Sequence, residues 1–464
     1  MNYLIYPLAF IFILGSAVVI HEFGHFLVAK LFKIRVETFS VGFGPRLFGK
    51  KFGHTDYRLS AIPLGGYVKL GGDESNSPIE GAGATDIPPE EQFNLRPRWQ
   101  RILVALAGPV MNVLTALAIP FAGALMYGVP ANPAPVVSYA PANGAAQKAG
   151  LQSGDRIVSF NGTENPDWDT IRGDALLSPG MVLPLVVERN GQRIPLTITP
   201  TPHTEDGETA GFLELVPDNG GYPVVIRDVT KDTPAAEAGL QIGDRVVAIN
   251  GQPVRSAEHI SSFIRENRSQ PITLTVERNG QKQDITATAR KLADETVRLG
   301  ILPADDFPLE KPSVGVAATY AVRSNLQILR LTGKALGQFF TGQRSARNTL
   351  SGPVGIYKAA GSAVEKFGWS GFFTTLAFLS LNLGIFNLLP IPVLDGGAIF
   401  ILLLEGALGL VGMKLSLRVR ERIQQVGFVM VILLMVFVIT NDFLKQAAVW
   451  RGGDTPPAAT TPTK

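Results

Sequence analysis

An apolar run from Tyr3 to Ala29 carries two histidines and a glutamate within it, His21, Glu22 and His25. The run is long enough to cross a bilayer as a helix. A chain that crosses lipid must satisfy its backbone hydrogen bonds internally, which restricts it to helices or a closed barrel. Ionisable side chains in such a segment are costly and mark function by default. The first residues, Met1-Asn2-Tyr3, lack the Lys or Arg of a signal peptide, so the run reads as a retained span. Similar runs cover Ile102 to Val129, Phe372 to Leu394 and Val426 to Thr440. Ala398 to Leu410 is apolar but too short to span, and reads as a re-entrant or interfacial helix. Charged residues make up only 17% of the chain, against about 25% in soluble domains. The expected fold class is a polytopic α-helical membrane protein with four transmembrane helices.

His21-Glu22-Phe23-Gly24-His25 puts two imidazoles at i and i+4, on one helix face where both can reach one cation. Glu22 stands beside them, able to take a proton from water. The chain has no cysteine and five histidines, so any metal is held by His, Asp or Glu. His54 sits in a Gly-containing basic turn, and His203 and His259 read as surface residues of the middle region. A carboxylate far downstream is the better third ligand. In Asn387-Leu388-Leu389-Pro390-Ile391-Pro392-Val393-Leu394-Asp395-Gly396-Gly397 two prolines interrupt the third span. Unwound backbone at membrane depth is tolerated where it lines a cavity or is buried in protein. Asp395 on such a break is well placed to ligate a metal. Taken singly, each motif has a plainer reading: a polar helix end facing water, and a span ending in a Pro-rich surface turn.

The middle region contains a duplication. The stretch from Ala149 to Gly162 returns from Ala238 to Gly251, 89 residues on, and Val187-Glu188-Arg189-Asn190-Gly191-Gln192 returns at the same offset as Val276 to Gln281. A constant offset over two blocks means duplicated domains. The block Gly-Leu-x-x-Gly-Asp-x-[Ile/Val]-x-x-[Phe/Ile]-Asn-Gly resembles PDZ domains, and its Asn-Gly pairs predict tight hairpin turns. Lys and Arg crowd the segment after the first span and the short segment before the fourth, among them Lys30, Lys50, Lys51, Arg96, Arg98, Lys414, Arg418 and Arg422. Both segments are therefore expected on the cytoplasmic side, with the duplicated region and both termini outside. Val314 to Phe340 has apolar residues at helical spacing and is expected to lie along the outer membrane surface. Net charge is +3, too small to imply nucleic-acid binding.

These boundaries divide the chain into a first span with the zinc-type motif at 1–30, a cytoplasmic-side loop at 31–100 and a second span at 101–129. PDZ-like domains follow at 130–215 and 216–305, an amphipathic helical region at 306–365 and a third span at 370–396. A short interfacial helix and loop at 397–425, a fourth span at 426–445 and a disordered tail at 452–464 complete it.

Asn-x-x-Pro-x-Pro-x-Leu-Asp-Gly at Asn387–Gly396, paired with His-Glu-x-x-His in the first span, resembles the signature of the site-2 protease family of intramembrane zinc metalloproteases. The two PDZ-like repeats between spans two and three resemble that family's regulator of sigma-E branch. Residues 39–48 and 57–70 are similar to its membrane re-entrant β-loop, Gly108 to Asn112 to the Gly-x-x-x-Asn of its second span, and Asn382 and Asn387 to asparagines of its third. Ala398 stands where the resemblance leads one to expect a histidine.

The resemblance implies one catalytic Zn²⁺ held by His21, His25 and Asp395, with Glu22 as general base and Asn387 orienting substrate or stabilising an oxyanion. Gly42, Phe43, Gly44, Gly65, Gly66, Tyr67, Asn112, Asn382, Pro390 and Pro392 are the implied substrate-binding residues. The implied substrates are single-span membrane proteins of the anti-sigma-factor type and leftover signal peptides, in a bacterial inner membrane and in a stress response. The PDZ-like repeats, on the periplasmic side, then either bind a newly made carboxy-terminus or exclude proteins with large outer domains. Two other classes fit parts of the sequence: a catalytically silent scaffold and a metal-ion transporter, the latter poorly because inverted repeats are lacking.

Overall fold

A computed structural model describes residues 4–73, 86–141, 143–205, 208–267, 270–291, 297–343, 352–413 and 416–450. Lys414 and the tail at 452–464 lie outside the described residues. The chain forms two compact units, one from residues 1–127 with 312–453, the other centred on 128–311.

The first unit is helical. Helix α1 (Ile5–Leu31) is followed by a long antiparallel hairpin, β1 (Val36–Phe52) and β2 (Thr55–Leu70), and by α2 (Arg98–Tyr127). After the second unit come α3 (Val314–Phe340), α4 (Pro353–Asn387), α5 (Asp395–Leu410) and α6 (Leu417–Trp450). Among the described residues four helices are long and apolar enough to cross a membrane: α1, α2, α4 and the Arg422–Leu444 part of α6. Small residues let α1, α2 and α4 approach closely. A Cβ on Gly24 of α1 would collide with the Ala107 carbonyl of α2, and one on Gly384 of α4 would stand 2.9 Å from the Pro109 carbonyl. Ala9, Ile13, Ala17, Ala360 and Leu376 form the apolar core between α1 and α4.

Helix α4 begins well before the expected third span, breaks at Gly368 (φ 57°) and ends at Asn387, so the stretch 388–394 is unwound. Helix α3 differs from expectation. It does not lie free along a membrane surface but packs lengthwise on α2 and reaches α4. Asn325 Nδ2 donates to the Ala116 carbonyl at 3.0 Å, and Thr332 donates to Asn382 Oδ1 at 3.3 Å. The face turned inward carries the small residues Ala317 and Ala321 with Asn325, while Val316, Val322 and Leu326 stay exposed.

The second unit contains the duplication. In the first repeat, β3 (Val137–Tyr139) precedes β4 (Arg156–Phe160), β5 (Leu183–Arg189) and β6 (Gln192–Ile198), and β7 (Val216–Pro217) pairs back onto β3. In the second, β8 (Val224–Val229), β9 (Arg245–Ile249), β10 (Pro271–Arg278), β11 (Gln281–Thr288) and β12 (Ile301–Asp305) lie in the sheet order β11-β10-β9-β8-β12. The pairing of β7 with β3 carries the first repeat two residues past 215.

The four Asn-Gly pairs within the duplicated blocks, at Asn161, Asn190, Asn250 and Asn279, all have positive φ at both residues, as primed hairpin turns require. The two duplicated sequence blocks meet in space. Arg189 donates two bonds to buried Asp155, at 2.6 and 2.7 Å, and one to the Gly150 carbonyl; Arg278 does the same to Asp244, at 2.7 and 2.8 Å, and Gly239. His259, expected at the surface, is instead buried at 8% exposure, its ring 6.0 Å from that of Tyr139 in the first repeat.

Candidate metal centre

Helical spacing brings His21 and His25 together on one face of α1, with their Nε2 atoms 3.2 Å apart. The unwound stretch after α4 delivers the third group. Asp395 opens α5, and its two carboxylate oxygens lie 3.0 Å from His21 Nε2 and 3.4 Å from His25 Nε2. Among the described residues this is the one group of three or more His, Asp or Glu side chains that could hold a metal ion. Donors around one tetrahedral zinc ion, at about 2.0–2.1 Å bonds, stand about 3.3–3.4 Å from one another. The three separations, 3.0 to 3.4 Å, lie near that figure, with Asp395 offering a different oxygen to each histidine.

The loop that presents Asp395 is tightly wound. Val393 has φ 89°, a left-handed value that a β-branched residue rarely adopts and that costs about 1–3 kcal/mol. A Cβ on Gly396 would collide with the Leu388 carbonyl and one on Gly397 with that of Ile391, so the loop folds onto the start of α5 at glycine contact distance. Pro392 abuts Gly427 of α6.

Helix α2 frames the histidines. The Val104 carbonyl accepts from His25 Nδ1 at 2.7 Å, which fixes the proton on Nδ1 and leaves the Nε2 lone pair facing Asp395. Gly108, one turn on, leaves the space the imidazoles occupy: a Cβ there would collide with His25 Nε2 and stand 2.9 Å from His21 Cε1. Asn112, a further turn on and fully buried, meets His21 Nδ1 at 3.3 Å. Asn387, the last residue of α4, has its amide nitrogen 3.4 Å from His21 Nε2.

Glu22, partly buried, lies under the hairpin, where the Cβ position of Gly66 is 3.5 Å from Glu22 Cγ. Gly42 (φ 89°), Gly44 (φ 87°) and Gly65 (φ 117°) give β1 and β2 their bends, and the Phe43 and Tyr67 rings stack at 6.1 Å. The site therefore brings together His21, Glu22, His25, Asn112, Asn387 and Asp395, with Gly66 against Glu22. Asn382 does not join it; its amide bonds to Thr332 and to the Phe378 carbonyl. Sequence reasoning missed Val104, because a main-chain carbonyl has no sequence signal, and Gly384, whose Cβ position is 3.3 Å from Asn112 Cβ.

The pattern of peptidase family M50 matches residues 9–434. The chain belongs to peptidase family M50. Regulator of sigma-E protease RseP of Salmonella typhimurium is 33% identical, over 94% of this chain and 97% of its own. The Escherichia coli K12 protein of that name is 32% identical over the same shares. A Vibrio cholerae protein provisionally named a zinc metalloprotease is 32% identical over 94% of this chain and 98% of its own. Among solved structures, the PDZ domain of an SdrC-like protein from Listeria monocytogenes covers 18% of this chain, with 88% of its own length, at 21% identity and a TM-score of 0.17. As an M50 peptidase with four apolar spans, the chain is an intramembrane metalloprotease of the site-2 type.

Proposed function

We propose that this protease uses one Zn²⁺, held by His21 Nε2, His25 Nε2 and an Asp395 oxygen, to cut the transmembrane segments of single-span membrane proteins in envelope stress signalling. The observation that carries the reading is the convergence of those three groups, from helices far apart in sequence, at separations suited to one tetrahedral ion. When bound, the ion supplies Lewis-acid polarisation of the scissile carbonyl and acidification of a water molecule. The Glu22 carboxylate takes the proton from that water and returns it to the leaving amine. Asn387, beside His21 Nε2, orients the substrate carbonyl and donates to the developing oxyanion.

A transmembrane helix hides its peptide bonds in its own hydrogen bonds and must unwind to be cut. The β1–β2 hairpin beside Glu22 offers strand edges to the unwound segment, with Gly42 to Gly44 and Gly65 to Tyr67 lining the approach. Relatives named regulator of sigma-E protease support substrates of the anti-sigma-factor type, with remnant signal peptides as a second class. Lys and Arg distribution supports an inner-membrane orientation with the two PDZ-like repeats periplasmic and the active site opening to the cytoplasmic half. In this reading the repeats act as a filter against substrates with bulky outer domains. The test is metal content with cleavage-site mapping. The purified protein is expected to carry one zinc per chain, and His25→Ala and Asp395→Ala to lose it. Mass spectrometry is expected to map the cut inside the substrate's membrane segment; a cut outside it, or no bound zinc, would sink the reading.

A further inference from the structure

Asn112 matches a motif position expected to touch substrate, yet it is fully buried and its amide meets His21 Nδ1. A neutral imidazole has one protonated and one unprotonated nitrogen. To present a lone pair from Nε2 towards His25 and Asp395, His21 must carry its proton on Nδ1, and that proton needs an acceptor. Asn112 is the side chain within reach. Among the described residues its Oδ1 has no donor, so no other bond holds the amide with the nitrogen towards the ring. The two ends of an amide are nearly equal in size, and the hydrogen-bond network decides which faces the imidazole.

His25 shows the same device with a main-chain acceptor, its Nδ1 donating to the Val104 carbonyl. Val104, Gly108 and Asn112 are spaced by four, so they lie along one face of α2. The first supplies an acceptor, the second leaves room, and the third supplies an acceptor again. Gly384 of α4 packs against Asn112, its Cβ position 3.3 Å from Asn112 Cβ.

We infer that Asn112 is a positioning residue for the metal ligand His21: its amide oxygen accepts from Nδ1–H and fixes the tautomer and ring orientation that aim Nε2 at the ion. The inference rests on the zinc site proposed above. It is tested on the full-length protein in detergent by zinc competition with a chelating dye and by the visible spectrum of the Co²⁺-loaded protein, with thermal melting alongside. Asn112→Leu keeps the volume and loses the acceptor, and is expected to weaken zinc about 10–100-fold and shift the Co²⁺ bands. Asn112→Asp keeps an acceptor oxygen, and is expected to retain affinity and spectrum close to wild type. Wild-type affinity and spectrum in Asn112→Leu overturn the inference, as does equal weakening in both variants, which would indicate packing alone. Failure of the wild type to bind zinc is a separate result that overturns the underlying site, and with it this role.

Discussion

Gly108 shows how little room surrounds the histidines. A single methyl there would overlap His25 Nε2 and crowd His21. Displacement of catalytic groups by about 1 Å can cost 10²-fold in rate, so Gly108→Ala is expected to lower cleavage by about 10²-fold or more. Zinc content is expected to fall with it while far-ultraviolet circular dichroism stays helical; full activity in this variant would contradict the packing described. Gly24 makes the reciprocal approach, facing the Ala107 carbonyl from α1. His21, Glu22 and His25 were legible because four-residue spacing on a helix is a local property. Asp395 was legible because two prolines and two glycines advertise a break. The partners of Asn112 and His25 were not, because they depend on how α1 and α2 are rotated about their axes. Asn382 stands five residues before the site residue Asn387, nearly one and a half helical turns, which turns it away from the site and towards α3.

Among the elements, the duplicated repeats were the most legible. The Asn-Gly turns at Asn161 and Asn190 and the Asp155–Arg189 pair recur at the sequence offset, because turn geometry and a two-block contact are both written locally. Burial alone would push the Asp244 carboxyl up; the Arg278 hydrogen bonds outweigh it and hold the carboxyl below its ordinary value. A carboxylate lowered in the folded state contributes stability that is present above the unfolded value, about 3.9, and is lost as pH falls through the folded one. Acid melting of the second repeat should therefore steepen below about pH 4. Asp244→Asn should destabilise that repeat by about 1.5–3 kcal/mol and flatten the acid limb, as read by thermal melts across pH. An unchanged acid limb in the variant would refute the assignment. His259 was misjudged because a polar residue on a short helix reads as exposed until a second domain is known to cover it. The path of α3 was misjudged for the parallel reason that α2 receives its Ala317, Ala321 and Asn325 side, which a count of large apolar residues does not single out.

For the whole molecule, the membrane unit carries the chemistry and the duplicated unit is the candidate for selecting substrates. If the repeats filter, a membrane segment with a short outer tail should be cut readily. The same segment carrying a folded outer domain should be cut slowly, and altering either repeat's peptide groove should leave the short-tailed substrate unaffected. Loss of all cleavage on altering a groove would favour peptide capture instead. The account stands on Glu22 acting beside a zinc ion held by His21, His25 and Asp395. The most direct measurement is cleavage of a detergent-solubilised transmembrane substrate by the purified wild type, by Glu22→Gln, and by the wild type treated with a zinc chelator. The wild type should cut within the membrane segment, Glu22→Gln should retain zinc but cut about 10²–10⁴-fold more slowly, and the chelator should abolish cleavage until zinc is restored. Cleavage at the wild-type rate by Glu22→Gln, or cleavage indifferent to the chelator, would contradict it.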